Sequence, residues 1–137
     1  MRSLVALALV SIIFLAGCAS YKSPESSGAA GTTGVNPTGV EHTIEITSSG
    51  FSPRQMTIGL GDTVVFVNKD TAQHWPASDI HPTHGVYPEK GGCIGSKFDA
   101  CKGLKEGQNY EFTFFSGGSW CFHDHLNPRL TGCVDVQ

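Results

Sequence analysis

Charge is scarce in this sequence and nowhere concentrated: Asp, Glu, Lys and Arg make up 15% of 137 residues, 9 basic against 12 acidic. No run of Lys and Arg could line a phosphate backbone, which argues against nucleic acid as a partner. Long apolar runs are missing too, and the stretch from Leu4 to Leu15 falls well short of the roughly 20 residues a membrane-crossing helix needs. No segment shows sustained helical spacing of apolar residues, and no internal repeat is present. No nucleophile stands beside a base in a pattern that would support hydrolysis. At this length the chain can build one domain-sized core, not two.

What is present begins with an export signal. Met1 and Arg2, the apolar run, then Ala16, Gly17 and Cys18 form a charged start, a short hydrophobic segment and a small-residue cleavage site. Leu15-Ala16-Gly17-Cys18 resembles the lipobox of bacterial lipoproteins. That resemblance implies loss of residues 1–17, acylation of Cys18, and a membrane anchor of several acyl chains, enough for stable attachment. The expected location is the cell envelope, on the extracytoplasmic side, where disulfides persist. The remaining chain carries 8 basic and 12 acidic residues, a net charge of −4. From Ala19 to Gly39, 16 of 21 residues are Ala, Ser, Thr, Gly or Pro, a composition that cannot bury enough apolar surface to order itself. Residues 18–39 therefore read as a lipidated cysteine and a flexible linker, and residues 40–137 as the domain.

From Val40 onward short β-like runs alternate with Gly, Pro, Asn and Asp, so the domain is expected to be all-β. The clearest runs are His42 to Thr47, Gln55 to Ile58, Thr63 to Asn68, Tyr110 to Phe115, Trp120 to Asp124 and Thr131 to Val136. Tyr110, Phe112 and Phe114 alternate with Glu111 and Thr113, as in a strand with one buried face. Between Asp70 and Gly107 nearly 40 residues pass without a convincing strand, and a loop of that length carries function, a covalent staple or both.

Once Cys18 is set aside, Cys93, Cys101, Cys121 and Cys133 remain, an even number in an oxidising compartment. Three pairings are possible. Trp120, Phe122 and Asp124 share one face of their strand and Val134 and Val136 one face of theirs, so Cys121 and Cys133 both point outward. If the two strands form a hairpin these cysteines are cross-strand neighbours, which favours Cys121 with Cys133 and Cys93 with Cys101. The rival reading makes Cys121 a thiolate metal ligand, which requires the buried parity of its strand to flip.

Five of six histidines fall in two groups: His74, His81 and His84 in the long loop, and His123 and His125 near the C-terminus. Imidazole is the commonest neutral metal ligand, and alternate residues of a strand project to the same side. The two groups together point to a metal site at one end of a β-sandwich, built from loops. His74, His123 and His125 are the leading candidates. For His81 and His84, in His81-Pro82-Thr83-His84, a role in the turn weighs as much as ligation. His42 is expected to be exposed and without a role. Asp124 stands beside the C-terminal pair either as a ligand or as an acceptor that fixes a ring tautomer. Trp75 and Trp120 are expected to pack core or shield the site.

Gly61-Asp62-Thr63-Val64-Val65-Phe66-Val67-Asn68-Lys69-Asp70, followed by His74, resembles the cupredoxin strand that ends in Asn and leads to the first copper histidine. Gly118-Ser119-Trp120-Cys121-Phe122-His123-Asp124, then Pro128, Leu130, Gly132 and Val134, resembles the end of small blue-copper domains. The resemblance runs from about Val40 to the C-terminus and implies a cupredoxin-like Greek-key β-sandwich. Laid without gaps on the plastocyanin-like and amicyanin-like pattern, the ligand Cys falls on Asp124, the His on Asn127 and the Met on Leu130. Only His74 matches, so the thiolate electron-transfer site does not carry over. Trp120-Cys121-Phe122-His123-Asp124-His125 resembles instead the His-x-His strands that hold non-blue coppers in multicopper oxidases, which implies an all-nitrogen site.

Imidazoles with at most one carboxylate suit Cu(II) in a tetragonal field or Zn(II) in a tetrahedral one, and intrinsic affinity favours copper over zinc. The leading expectation is a tethered protein that handles copper or relays electrons outside the cytoplasm, with a redox or copper-transfer protein as partner, and a non-enzyme ahead of an enzyme. The alternatives are a copper-dependent oxidoreductase, superoxide-dismuting or oxidase-like, and a metal-free interaction module.

Overall fold

The computed structural model describes residues 39–137. The expected leader, the expected lipidation site at Cys18 and the expected linker up to residue 38 lie outside the described residues. Eight strands follow one another: β1 (Glu41–Thr47), β2 (Gly50–Ser52), β3 (Gln55–Ile58), β4 (Thr63–Asn68), β5 (Pro76–Ser78), β6 (Asn109–Thr113), β7 (Gly118–Asp124) and β8 (Asn127–Val136). They form two four-stranded sheets, ordered β2-β1-β4-β6 and β3-β8-β7-β5. β1 runs parallel to β4 and β3 parallel to β8, while the other pairs are antiparallel. This is the all-β sandwich expected from the sequence.

Period-two alternation builds the core. Ile44 and Ile46 of β1, Val64 and Phe66 of β4, Phe122 of β7 and Val134 of β8 are fully buried, each contributing about 1.5–3 kcal/mol of apolar burial. Phe122 meets the rings of Phe51 and Phe66 edge to face, with centroids 4.8 and 5.1 Å apart, so the two sheets interlock through aromatic contacts. β-Branched residues crowd β4, as a central strand requires.

Two strands escape sequence reading. β2 and β5 have three residues each, too few for any alternation to show. β5 is the more important, because it turns the first part of the long loop into a sheet edge: Pro76, Ala77 and Ser78 pair with Asp124, His123 and Phe122 of β7. Further on, Asp99 forms an isolated bridge with Ala77. β6 stops at Thr113, and Phe114 leaves it to bond with the backbone of Gly61 and Asp62.

Both expected disulfides are present, Cys93–Cys101 and Cys121–Cys133. Cys121 and Cys133 are register partners across β7 and β8, and their bond overturns the reading of Cys121 as a thiolate ligand. His42 is not idle: its Nε2 lies 2.8 Å from Asp62 Oδ2, and Asp62 also accepts from the backbone of Val40 and Gly59.

Candidate metal centre

The chain leaves β4 through Asn68, which is fully buried. Its side-chain amide donates to Ala72 O at 2.7 Å and Leu104 O at 2.8 Å, and its Oδ1 accepts from Asp70 N at 2.7 Å. These bonds fix the turn that delivers His74. There the structure departs from expectation, because His74 does not join the other histidines. Nδ1 of His74 is 2.8 Å from Asp124 Oδ2 and Nε2 is 3.2 Å from Asp70 Oδ2, so both ring nitrogens face carboxylates and neither is left to bind an ion. The hydrogen bond from His74 holds the Asp70 carboxyl below the usual carboxylate range. Asp124, the residue standing where a thiolate was expected by resemblance, also accepts from the backbone N–H of Trp75 and Leu126 at 2.8 and 3.0 Å. Among the described residues it accepts no hydrogen bond from the C-terminal imidazoles. It ties the end of β7 to the His74 loop.

The other histidines do meet. One ring nitrogen from each of His81, His84, His123 and His125 lies within 4.8 Å of every other. The ring centroids form a four-cornered figure. Its sides measure 5.3 Å (His81–His123), 5.0 Å (His123–His84), 4.8 Å (His84–His125) and 4.9 Å (His125–His81). Its diagonals, His81–His84 and His123–His125, are both 6.4 Å. The diagonals exceed the sides by about a quarter, so the four rings surround a common centre.

Sheet geometry explains the convergence. In the pleat of β7, His123 lies on the face opposite Phe122, and its neighbours along that cross-strand row are Ala77 of β5 and then Asp99. Only the methyl of Ala77 separates His123 from Asp99 in the row, and His84 fills the gap. His84 Nδ1 donates to Asp99 Oδ2 at 2.7 Å while its ring faces that of His123. A β-bulge between His123 and Asp124 re-aims the end of the strand, and His125 is then held by its backbone N–H donating to Trp75 O at 2.7 Å. His84 has a φ of +49°, a left-handed conformation uncommon for a side-chain-bearing residue and frequent at functional sites. The turn is backed by Gly95, where any Cβ would collide with Thr83 O.

Carboxylates stand behind two of the rings. Asp99, with its side chain fully buried, accepts from His84 Nδ1 through Oδ2, while its Oδ1 accepts from Trp75 Nε1 at 2.6 Å and Cys101 N at 2.9 Å. Asp79 Oδ1 accepts from His123 Nδ1 at 2.9 Å. With Nδ1 donating in both rings, each Nε2 carries a lone pair, which is the support that metal-bound histidine takes from outer carboxylates. His123 is 1% exposed, yet among the described residues its Nε2 has no hydrogen-bond partner, and a buried orphan nitrogen of this kind calls for an occupant. His84 Nε2 accepts from His125 Nδ1 at 2.9 Å, and a bound ion would take that proton's place, since two nitrogens at right angles on one ion at 2.0–2.1 Å are about 2.9 Å apart. Burial lowers the pKa of His123, against the raising effect of Asp79, and that of His125, and neighbouring imidazoles add to the lowering in both, which favours the neutral, ligating form. The donor set fits a borderline divalent ion that favours nitrogen.

Sequence reasoning missed Asp79, Asp99 and Ala77. The only signal pointing to them was their position in the long loop between the two histidine groups. The second cluster of ligand types among the described residues, Cys93, Asp99 and Cys101, is closed by its own disulfide.

No protein-family model matches the chain, and no curated protein matches it. Solved structures do. A purple cupredoxin from Nitrosopumilus maritimus is 21% identical, with 69% of this chain covering 98% of that one at a TM-score of 0.56. A reduced variant of amicyanin is 19% identical, covering 73% of this chain and 84% of that one, also at 0.56. The Cu(I) form of another amicyanin variant is 20% identical over 72% and 83% of the two chains, at 0.56. At this level of identity the likeness is one of architecture, and it agrees with the strand order above: residues 39–137 fold as a cupredoxin-like Greek-key β-sandwich.

Proposed function

We propose that His81, His84, His123 and His125 bind one copper ion and that the chain handles copper, or passes electrons through it, outside the cytoplasm. The observation that carries this reading is the pair of carboxylate-backed imidazoles, Asp99–His84 and Asp79–His123, with the buried Nε2 of His123 left without a partner. Intrinsic affinity of a nitrogen donor set favours copper over zinc, and the fold is one in which an amicyanin variant is found with Cu(I). When bound, copper supplies a one-electron centre. The residues hold it without a thiolate, since every described cysteine is in a disulfide. Asp99 and Asp79 keep the ligating nitrogens free of protons, and Trp75 covers one side of the site, its ring 4.4 Å from that of His125.

In this reading the chain is exported and held at a membrane through acylated Cys18, with residues 19–39 as tether and a redox or copper-transfer protein as partner. The two disulfides support an oxidising compartment. A copper-dependent oxidoreductase is the second reading, favoured by the exposure of one corner of the cluster, His81. Copper titration of the full-length chain tests the first. It is expected to take up one ion per chain, and a chain with His84→Gln and His123→Gln together none. Equal uptake by both would remove the cluster as the site. A superoxide or oxidase assay on the loaded protein then separates handling from catalysis.

A further inference from the structure

The four imidazoles are not held alike. His84 and His123 each donate to a carboxylate, and both rings are buried. His125 is fixed by its backbone bond to Trp75, by the Trp75 ring and by the hydrogen bond from its Nδ1 to His84 Nε2. His81 has none of this support. It is exposed, and among the described residues its ring makes no hydrogen bond. Its own N–H and C=O take no part in the backbone bonds that close the turn around it. Those run from Thr83 and His84 to Ile80 O, both at 2.8 Å, and from Val86 to Asp79 O at 2.7 Å.

Resting on the copper reading above, we propose that His81 is the exchangeable corner of the site. Three framed imidazoles retain the ion, while His81 swings out and a neutral nitrogen donor, such as an imidazole presented by a partner protein, takes its place. Rotating His81 away breaks no hydrogen bond among the described residues and gives up only its ring contacts with His123 and His125, at 5.3 and 4.9 Å. Moving His84 breaks its bond to a fully buried carboxylate, and moving His123 drags a ring out of the protein interior. His81 is exposed, so the position it vacates faces solvent, and its ring stands diagonally across from that of His84. In the exchange one copper–nitrogen bond to His81 breaks as one to the incoming imidazole forms. No electron is transferred, and the released ring remains neutral.

The test uses the full-length chain, its His81→Ala variant and its His84→Gln variant, with free imidazole as the probe. His81→Ala is expected to keep one copper per chain with affinity weakened by at least the roughly 10- to 100-fold that loss of an outer support alone costs. Millimolar imidazole is expected to return its electron paramagnetic resonance spectrum to that of the parent, whereas His84→Gln, whose gap lies in the interior, is not restored. In the parent itself, copper release to a chelator should rise in proportion to added imidazole, a measurement that depends on no substitution. A His81→Ala protein matching the parent in spectrum and release rate would show that His81 is no ligand. One that binds no copper even with imidazole would show that it is a fixed ligand. Either result overturns this proposal while leaving copper binding by the parent intact; failure of the parent to bind copper removes both.

Discussion

Replacing Asp99 by Asn keeps the shape of a buried side chain and changes which atoms can accept. Asp99 Oδ1 already serves Trp75 Nε1 and Cys101 N, at 2.6 and 2.9 Å, so the amide oxygen of the replacement would stay there and its NH2 would face His84 Nδ1. Two donors cannot share that contact. His84 is driven to the tautomer with its proton on Nε2, the nitrogen turned toward the other rings, and that proton must be lost before a metal can bind. Loss of an outer carboxylate typically weakens metal binding by about 10- to 100-fold, or roughly 1.4–2.7 kcal/mol. Asp99 should sit at the upper end, because its side chain and that of His84 are both 0% exposed. Asp79 is 28% exposed, and water can replace part of its role, so Asp79→Asn belongs at the lower end. Competition titration against a copper chelator, with metal-free thermal unfolding as a control for folding, measures both. Copper affinity within about twofold of the parent in Asp99→Asn, or a larger loss in Asp79→Asn, would refute the tautomer argument.

Other consequences follow from the same geometry. His74→Gln keeps a donor toward Asp124 while removing the ring; it should lower stability by about 1–3 kcal/mol and leave copper stoichiometry and spectrum unchanged, and a lost ion would return His74 to the ligand set. Gly95→Ala forces a methyl against Thr83 O and should cost about 1–3 kcal/mol in denaturant unfolding, with weaker copper binding because the same turn carries His84; an unchanged midpoint would count against the close approach. Converting Cys121 and Cys133 together to Ser removes a cross-strand staple worth about 2–4 kcal/mol, seen as a lower unfolding temperature, with no change in the copper spectrum because neither sulfur is a ligand.

Much of the scaffold could be read from the chain alone, since it rests on local periodicity. The shared faces of β7 and β8 follow from alternation, and the pairing of Cys121 with Cys133 follows from that parity once the two strands are hairpin neighbours. The site was legible only in part. His123 and His125 stand out by spacing, but Asp79 and Asp99 look like any loop aspartates until β5 fixes the row His123, Ala77, Asp99, and β5 is too short to announce itself. His74 was misplaced for a different reason. A resemblance gives a residue its position in the fold, but not the group that faces it, and here that group is a carboxylate in place of a thiolate.

Electron paramagnetic resonance of the full-length chain loaded with one equivalent of Cu(II), the imidazoles labelled with nitrogen-15, bears most directly on the central claim. The expected signal is axial, with hyperfine coupling to four imidazole nitrogens of similar strength and no intense visible charge-transfer band. A strong thiolate-to-copper band, or a copper signal without coupling to these nitrogens, would contradict it.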